Sequence, residues 1–334
     1  MPADKSTESF LSGIDKKRDI VLSMDLDNTL VNRNKGDNYV LPDTLGLLKR
    51  LIKEPNFHLI PNTGRDIIGF GSFTKKTIDF PDAVLGAGSL IKIGGRYVFD
   101  SNSEIEWPVI KILLSGVESG VLPFVDFTHK DGRLLVYNNE TGKKLKPLFF
   151  SQNPRSWFGP KLPMAVPVSS LDKKIKSVYR LEFPVLPDHK DLFDELVNRR
   201  ENGVIHLRKL LGVTQKSLKD YTVKRKAFFN DEYKNKVSFA RFEKHTDFSS
   251  KGHGIKIWLA KKKLKNPSII HVGDQDYGVI NDTLVKKELP RAKLVMAGDR
   301  CRRDNPLVDF YLSGDVDKAI NGFIKSIHSF IKKI

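Results

Sequence analysis

Short runs of β-forming residues alternate with helical stretches near both ends of this 334-residue chain, and this alternation limits the folds open to it. From Asp19 to about Ser101, the runs IVLSMDL and FHLIPNTG are separated by the helical stretch PDTLGLLKRLIKE. The pattern returns late in the chain, where the helical stretch SKGHGIKIWLAKKKL precedes the runs SIIHVGD and AKLVMAGD. Strands that alternate with helices of this length form right-handed βαβ units. We therefore expect an α/β fold with a parallel, Rossmann-like sheet and helices on both faces.

The middle of the chain, over residues 105–245, follows a different pattern. Its alternation is less regular, prolines are frequent, and the dense stretch FFSQNPRSWFGPKLP contains Trp157. A helical stretch, DHKDLFDELVNRREN, lies between the strand-like runs SVYRLEFPV and VSFARFEKH. We interpret this part as an α+β domain inserted into a core of residues 19–104 and 246–334, with a flexible leader over residues 1–18.

Composition excludes several classes of protein. The single Cys301 excludes a disulfide framework and a cysteine-rich metal site, which favours a cytoplasmic protein. No apolar run approaches the roughly 18 residues that cross a bilayer, and the polar first residues lack the hydrophobic centre of a secretory signal. We expect no membrane association, and either a monomer or a homodimer.

The charge balance, 57 basic against 40 acidic residues for a net +17, bears on partners. A positive field attracts phosphorylated ligands and nucleic acid alike, and solvated lysine faces explain the same charge without any partner. No helix-turn-helix, zinc-finger or RNP pattern is present. We therefore favour a small phosphorylated partner over nucleic acid.

Four polar features follow one another at predicted strand ends and helix starts. Asp25 and Asp27, in the sequence DLDNTLV, come directly after the strand-like run RDIVLSM. Thr63 follows the run FHLIPN, Lys251 begins a predicted helix, and Asp274 ends the run SIIHVGD. Each alone is explained by a helix cap, a surface lysine or a turn. Their order at the carboxyl ends of parallel strands, where open α/β folds bind ligands, favours a shared site.

This ordered set closely resembles the motifs of the haloacid dehalogenase-like (HAD) superfamily of phosphoryl-transfer enzymes. Those motifs are an Asp-x-Asp-x-Thr strand end, a Thr or Ser, a Lys and a terminal acidic motif. The resemblance covers roughly residues 19–104 and 246–315. It implies that the insert is the larger cap of that superfamily, similar to the cap of sucrose-phosphate and trehalose-phosphate phosphatases. The stretch DFPDAVLGAGSLIKIGGRYVFD also resembles the segment that precedes the cap in that branch.

The resemblance implies a role for each matched residue. Asp25 would be the nucleophile that forms an aspartyl-phosphate, and Asp27 would act first as general acid and then as general base. Mg²⁺ would be held by Asp25, the backbone carbonyl of Asp27 and Asp274. Thr63 and Lys251 would hold the phosphoryl oxygens and offset their charge. Four neighbours are expected to contact the substrate phosphate: Asn28, Thr29, Gly64 and Arg65.

The terminal acidic motif departs from the superfamily pattern. A second acid usually stands three or four positions after the first, but Tyr277 and Gly278 occupy those positions here. Asp276 comes too early, and Asn281-Asp282 come late. We expect a changed turn that lets Asp276 complete the metal site, which would leave Asp282 as an ordinary surface acid. The alternatives are a longer loop that brings Asp282 back, or weakened metal binding in a protein that only binds its ligand.

The resemblance implies Mg²⁺-dependent hydrolysis of a small phosphorylated metabolite, and its large cap favours a sugar phosphate. Trp107, Trp157 and Phe158 could line a sugar-stacking surface in the cap, although such residues are more often core. A phosphohexomutase is an alternative, and the acid at position 27 separates both from the ATPase branch, which has threonine there. A basic protein that binds nucleic acid or trims its ends on this scaffold is the other alternative.

Overall fold

The computed structural model describes residues 5–32, 34–36, 38–118, 122, 124–138, 164–171, 175–185, 197–201, 204–207, 221–229, 236–244, 250–275, 282–298 and 304–333. The chain divides into two compact units. The first contains Met1–Arg65, Phe70–Val98 and Ser250–Ile334, and the second contains Asp66–Gly69 and Phe99–Ser249. The first unit is therefore discontinuous in sequence.

The described helices are α1 (Lys5–Ser12), α2 (Pro42–Leu51), α3 (Ile67–Lys76), α4 (Trp107–Glu118), α5 (Lys251–Lys262), α6 (Leu284–Glu288) and α7 (Val316–Lys332). The described strands are β1 (Ile20–Met24), β2 (Phe57–Pro61), β3 (Ala83–Leu85), β4 (Leu90–Ile93), β5 (Arg96–Phe99), β6 (Phe124–His129), β7 (Gly132–Tyr137), β8 (Met164–Pro167), β9 (Val178–Val185), β10 (Val197–Glu201), β11 (Val204–Leu207), β12 (Tyr221–Phe229), β13 (Lys236–Lys244), β14 (Ser268–Gly273), β15 (Lys293–Ala297) and β16 (Phe310–Leu312).

A five-stranded parallel sheet forms the centre of the first unit. Its strand order is β16-β15-β14-β1-β2, and each neighbouring pair runs parallel. All five residues of β1 are buried, which agrees with the unbroken apolar character of strands covered on both faces. Trp258 and Ile255 of α5 pack in one buried cluster with Val21, Ile269 and Val84. The predicted Rossmann-like parallel sheet flanked by helices is confirmed.

A small sheet of β3, β4 and β5 adjoins this core. The β4–β5 hairpin turns at Gly94 and Gly95, whose φ angles are 54° and 83°. Positive φ at both central residues is the requirement of a tight type I′ turn, which glycine meets without strain. The glycine pair in the run LIKIGGRYVFD therefore forms the hairpin turn.

The beginning of the chain corrects one expectation. The polar composition predicts a flexible leader over residues 1–18, but residues 5–12 form α1, and Leu11 is buried. Phe10 stacks on Phe310 with ring centroids 5.2 Å apart and lies 6.1 Å from the ring of Phe323 in α7. Burial of these apolar side chains stabilises a helix that the polar composition of the segment does not suggest.

The second unit is built on a six-stranded sheet in the order β12-β13-β9-β6-β7-β8. Its described pairs are antiparallel except β7–β8, which is parallel. Because successive side chains of a strand point to opposite faces, one face carries Phe127 and Leu181, which pack with Ile110 and Leu114 of α4. Trp107 also packs against this cluster, whereas Trp157 and Phe158 lie outside the described residues.

The other face of this sheet carries charged side chains that are buried. Arg133 of β7 pairs with Asp126 of β6 and lies 3.6 Å from a carboxylate oxygen of Glu182 in β9. Burial raises the pKa of the Asp126 carboxyl to about 6, although the Arg133 guanidinium opposes that shift. A buried group of this kind is costly unless its members are paired, as they are here. Within the described residues, no helix is long and apolar enough to cross a membrane.

Candidate active site

Asp25 follows the carboxyl end of β1, which lies between β14 and β2 in the parallel sheet. The backbone N–H of Asp25 donates to the carbonyl of Val272 in β14 at 2.8 Å, and the N–H of Leu26 donates to Asp25 Oδ1 at 2.8 Å. The chain then turns sharply through Asn28, which has a φ of 60° and donates its N–H to the carbonyl of Val31. Asparagine tolerates this left-handed conformation better than most residues. The turn therefore leaves Asp25 fixed at the strand end, and Asp27 just beyond it.

Lys251 enters the site from the first turn of α5. Ser250 caps this helix by accepting the N–H of His253 at 3.1 Å. Lys251 Nζ lies 2.9 Å from Asp25 Oδ2 and 2.5 Å from Asp282 Oδ1. The structure therefore brings Lys251 to Asp25, two residues that the sequence placed in one site.

Glycines allow the start of α5 to approach the core this closely. A Cβ on Gly254 would lie 2.4 Å from Val84 Cγ1 and 3.0 Å from the Cα of Gly88. Gly88 itself has a φ of 107°, and a Cβ there would lie 2.2 Å from the carbonyl oxygen of Ser250. The backbone at Gly88 is thus in direct contact with the start of α5, and this contact fixes the position of Lys251.

Three carboxylates gather at this sheet edge. One oxygen each of Asp25, Asp274 and Asp282 lies within 4.8 Å of the others, and all three residues are buried. The expectation that Asp282 would be a surface acid is wrong, because its side chain is only 1% exposed. Gly273 makes room for it, since a Cβ there would lie 2.1 Å from Asp282 Cγ. Asp276 lies outside the described residues, so its metal role stays a prediction.

Burial and neighbouring charges shift the pKa values of two carboxyls in this cluster. Burial raises the pKa of the Asp25 carboxyl to about 7; Lys251 opposes the shift, whereas Asp282 and Asp274 add to it. Burial would also raise the pKa of Asp282, but Lys251 and a hydrogen bond from His271 more than offset it and lower that pKa. Within the described residues, the ammonium of Lys251 lies among three buried carboxylates. The carboxylate oxygens of this cluster are ligands that fit a hard divalent cation such as Mg²⁺.

The loop after β2 holds the second predicted motif. Asn62 donates its N–H to the carbonyl of Met24 at 2.7 Å, and Thr63 donates its N–H to the carbonyl of Val84 at 2.9 Å. Thr63 Oγ1 accepts the N–H of Arg65 at 3.1 Å. Gly64 lies between them, and a Cβ added to it would meet no heavy atom within 4 Å. The loop is therefore fixed by hydrogen bonds that it donates to β1 and β3.

Arg65 contacts Asp27, a pairing that the sequence did not indicate. Its Nε donates to both carboxylate oxygens of Asp27 at 3.2 Å, and its Nη2 donates to Asp27 Oδ1 at 2.6 Å. Its Nη1 donates to Asn38 Oδ1 at 2.7 Å. A two-point contact of this kind fixes both the position and the orientation of a carboxylate. Thr29, in the turn after β1, is buried, and its hydroxyl has no hydrogen-bond partner within the described residues.

Three further polar residues lie behind the site, and the sequence patterns did not single them out. Asn62 Nδ2 donates to Ser23 Oγ at 3.2 Å, and Ser23 Oγ lies 2.9 Å from His271 Nδ1. His271 Nε2 in turn lies 2.9 Å from Asp282 Oδ1. The available signal was the presence of Ser23 and His271 within otherwise apolar strands, where a polar side chain needs a buried partner.

No protein-family model matches the sequence, and no curated protein is detectably similar to it. Solved structures do resemble it. A HAD/COF-like hydrolase from Plasmodium vivax matches with a TM-score of 0.60 and 18% identity, over 97% of this chain and 99% of that chain. A HAD subclass IIB sugar phosphatase matches with a TM-score of 0.55 and 15% identity, over 93% of this chain and 98% of that chain. A HAD phosphatase from Bacteroides thetaiotaomicron matches with a TM-score of 0.56 and 15% identity, over 93% and 94% of the two chains. At these identities the comparison establishes the fold, and the predicted resemblance to HAD phosphatases is confirmed at that level.

Proposed function

We propose that this chain, which has the fold of the HAD phosphatases, hydrolyses a small phosphomonoester with the help of Mg²⁺. The observation that carries the proposal is the contact of Lys251 Nζ with Asp25 at 2.9 Å, beside the buried carboxylates of Asp274 and Asp282. Phosphoryl transfer needs a nucleophile, a positively charged side chain held in place and an acid cluster that binds a metal ion. Candidates for all three lie at one sheet edge here.

Asp25 acts as the nucleophile in the first half-reaction. One carboxylate oxygen attacks the phosphorus, the bond from phosphorus to the ester oxygen breaks, and Asp27 gives its proton to the departing oxygen. Lys251 is already placed to offset charge on the phosphoryl oxygens. Asp25, Asp274 and the backbone carbonyl of Asp27 would hold Mg²⁺, which reduces the repulsion between the carboxylate and the phosphate.

Water completes the cycle in the second half-reaction. Asp27 removes a proton from the water, the water oxygen attacks the phosphorus, and the bond between phosphorus and Asp25 breaks. Free phosphate leaves and both carboxylates return to their starting states. Arg65 favours the ionised form of Asp27, which suits the role of base, and its contact with Asp27 has to loosen when Asp27 carries the proton.

A sugar phosphate is the substrate class that we favour. One structurally similar protein is described as a sugar phosphatase. Phosphoryl oxygens would be held by Thr63 and Lys251, with Asn28, Thr29, Gly64 and Arg65 near the phosphate.

A panel of phosphorylated metabolites, assayed for free phosphate with and without Mg²⁺, tests the proposal. We expect phosphate release that needs Mg²⁺ and that is lost in Asp25→Asn. Equal rates in EDTA would contradict the metal requirement, and turnover by Asp25→Asn would contradict the covalent step. Isomerised sugar phosphate without free phosphate would indicate a phosphohexomutase instead.

A further inference from the structure

A chain of three buried polar side chains crosses the sheet behind the acid cluster. Asn62 follows β2, Ser23 belongs to β1 and His271 belongs to β14, so the chain, here called the Asn62–Ser23–His271 chain, spans three adjacent strands. Ser23 and His271 are directly paired in the register of β1 and β14. All three side chains have 0% exposure. Burial of a polar side chain in a sheet core lowers the free energy of unfolding unless the side chain is hydrogen-bonded. Three such residues in one hydrogen-bonded chain therefore suggest a functional role.

The hydrogen bonds of this chain run in one direction. An ionised carboxylate can only accept, so His271 Nε2 must carry the hydrogen that is given to Asp282 Oδ1. In the neutral imidazole, Nδ1 is then the acceptor, and the Ser23 hydroxyl donates to it. Ser23 Oγ in turn accepts from the Asn62 amide, which also donates to the backbone carbonyl of Lys251 at 3.1 Å. The chain therefore ends on Asp282 and is tied to the start of α5.

Protein donors fill all four acceptor positions of the Asp282 carboxylate. Oδ1 accepts from Lys251 Nζ and His271 Nε2. Oδ2 accepts the backbone N–H groups of Asp274 and Gln275, each at 3.1 Å. A carboxylate offers about two lone pairs on each oxygen, so a directly bound cation would displace one of these donors. Asp282 is thus placed to orient Lys251 and the Asp274 turn, and to add its charge from behind the site.

We propose that His271, held by Ser23 and Asn62, is a positioning residue that fixes Asp282 and, through it, Lys251 and Asp274. The inference rests on the proposed function, because it assigns His271 to the same cation and phosphate site. Loss of the His271 donor leaves Asp282 Oδ1 held by Lys251 alone, so the carboxylate that joins Lys251 to the Asp274 turn is held less firmly. Residues of this kind typically change metal affinity or activity by about 10–100-fold.

Calorimetric titration of Mg²⁺ into substrate-free protein tests the proposal without any assumption about the substrate. His271→Leu keeps the approximate size of the side chain but removes the donor, and should weaken Mg²⁺ binding about 10–100-fold. His271→Gln places an amide N–H near the position of Nε2 and should restore most of the affinity. In the phosphatase assay, His271→Leu should lower kcat more than it raises KM, because Lys251 acts most strongly on the transition state.

His58→Leu is the matched control. His58 lies on the neighbouring strand β2 and also contacts an aspartate, Asp19, at 3.1 Å, but it takes no part in the acid cluster. Its replacement should leave Mg²⁺ affinity within about twofold of the natural protein. Folding of each variant is checked by circular dichroism and thermal denaturation. If His271→Leu does not fold, Ser23→Ala decides, because it removes the donor to His271 and the acceptor of Asn62 with a smaller change in volume.

Three results would overturn the inference. The first is a folded His271→Leu protein with unchanged Mg²⁺ affinity. The second applies if His271→Leu does not fold, and is unchanged Mg²⁺ affinity in Ser23→Ala. A third pattern, weakened affinity that His271→Gln does not improve at all, would assign His271 to packing and would also overturn it. Absence of phosphatase activity in the natural protein would end the proposed function, while the Mg²⁺ titration would still judge the role of His271.

Discussion

At the scale of single residues, the ionised carboxylate of Asp25 is needed for the proposed chemistry but destabilises the folded protein. Its carboxyl is buried beside two other carboxylates, and its pKa is raised from 3.8 to about 7. Between these two values the folded protein binds a proton that the unfolded chain releases. The free energy of unfolding therefore falls as the pH rises through this window, and the full cost is present above about pH 7.

Asp25→Asn should relieve this cost while it removes the proposed nucleophile. In EDTA at about pH 8 we expect the variant to gain on the order of 1 kcal/mol, or about 2–4 °C in thermal midpoint, over the natural protein. Near pH 4 most of the gain should disappear, because the natural carboxyl is then protonated in the folded state and partly protonated in the unfolded chain. Thermal denaturation across this range checks the sign, and a gain that grows toward low pH would contradict it.

Asp274 and Asp282 should respond differently to the same substitution, since we propose that Asp274 binds the cation and that Asp282 anchors the site. Asp274→Asn should raise the Mg²⁺ concentration for half-maximal rate by about tenfold or more and leave the thermal midpoint in EDTA unchanged or higher. Asp282→Asn should also lower the midpoint in EDTA, because four protein donors lose a full carboxylate. Mg²⁺ titrations paired with melting curves distinguish the two, and a stable Asp282→Asn protein would show that Asp282 is a ligand rather than an anchor.

At the scale of elements, the close approach of α5 to the core determines where Lys251 lies. Gly254→Ala would bring a Cβ to 2.4 Å from Val84 Cγ1, so either the helix or β3 must shift. We expect a loss of about 1–3 kcal/mol in the free energy of unfolding and a lower kcat. Gly46→Ala in α2 is the matched control, because nothing lies within 4 Å of its Cβ position. It should instead gain about 0.5–1 kcal/mol through helix propensity. Denaturant unfolding measures both, and equal effects would refute the packing argument.

The elements were the part of this structure that the sequence predicted best. Alternation of strands and helices indicated the parallel sheet, and strand ends indicated Asp25 and Asp274, because parallel strands present their carboxyl ends at one edge. Sequence spacing gave the wrong prediction for Asp282. It stands eight residues after Asp274, and that separation does not determine where the intervening loop brings its side chain. The pairing of Arg65 with Asp27 was missed for a related reason, because the reach of a long side chain across two strand ends is not encoded in local pattern.

At the scale of the whole molecule, the net charge of +17 leaves nucleic acid as the competing partner. Within the first unit, Lys262 pairs with Asp82, Lys256 with Glu288 and Lys286 with Asp309. Each of these pairs is neutral in the net count, so the excess of 17 belongs to other basic side chains, whose attraction for phosphates is screened by salt.

We therefore expect any binding of an unrelated oligonucleotide to be weak and electrostatic. Fluorescence polarisation with a labelled single strand should show affinity that falls steeply between about 50 mM and about 200 mM salt. Phosphate release from the preferred small substrate should be unaffected by the oligonucleotide at the higher salt, because base-independent contacts with surface lysines do not occupy the Asp25 site. Binding that survives the higher salt and competes with the small substrate would reverse this ranking and make a polynucleotide the natural ligand of the site.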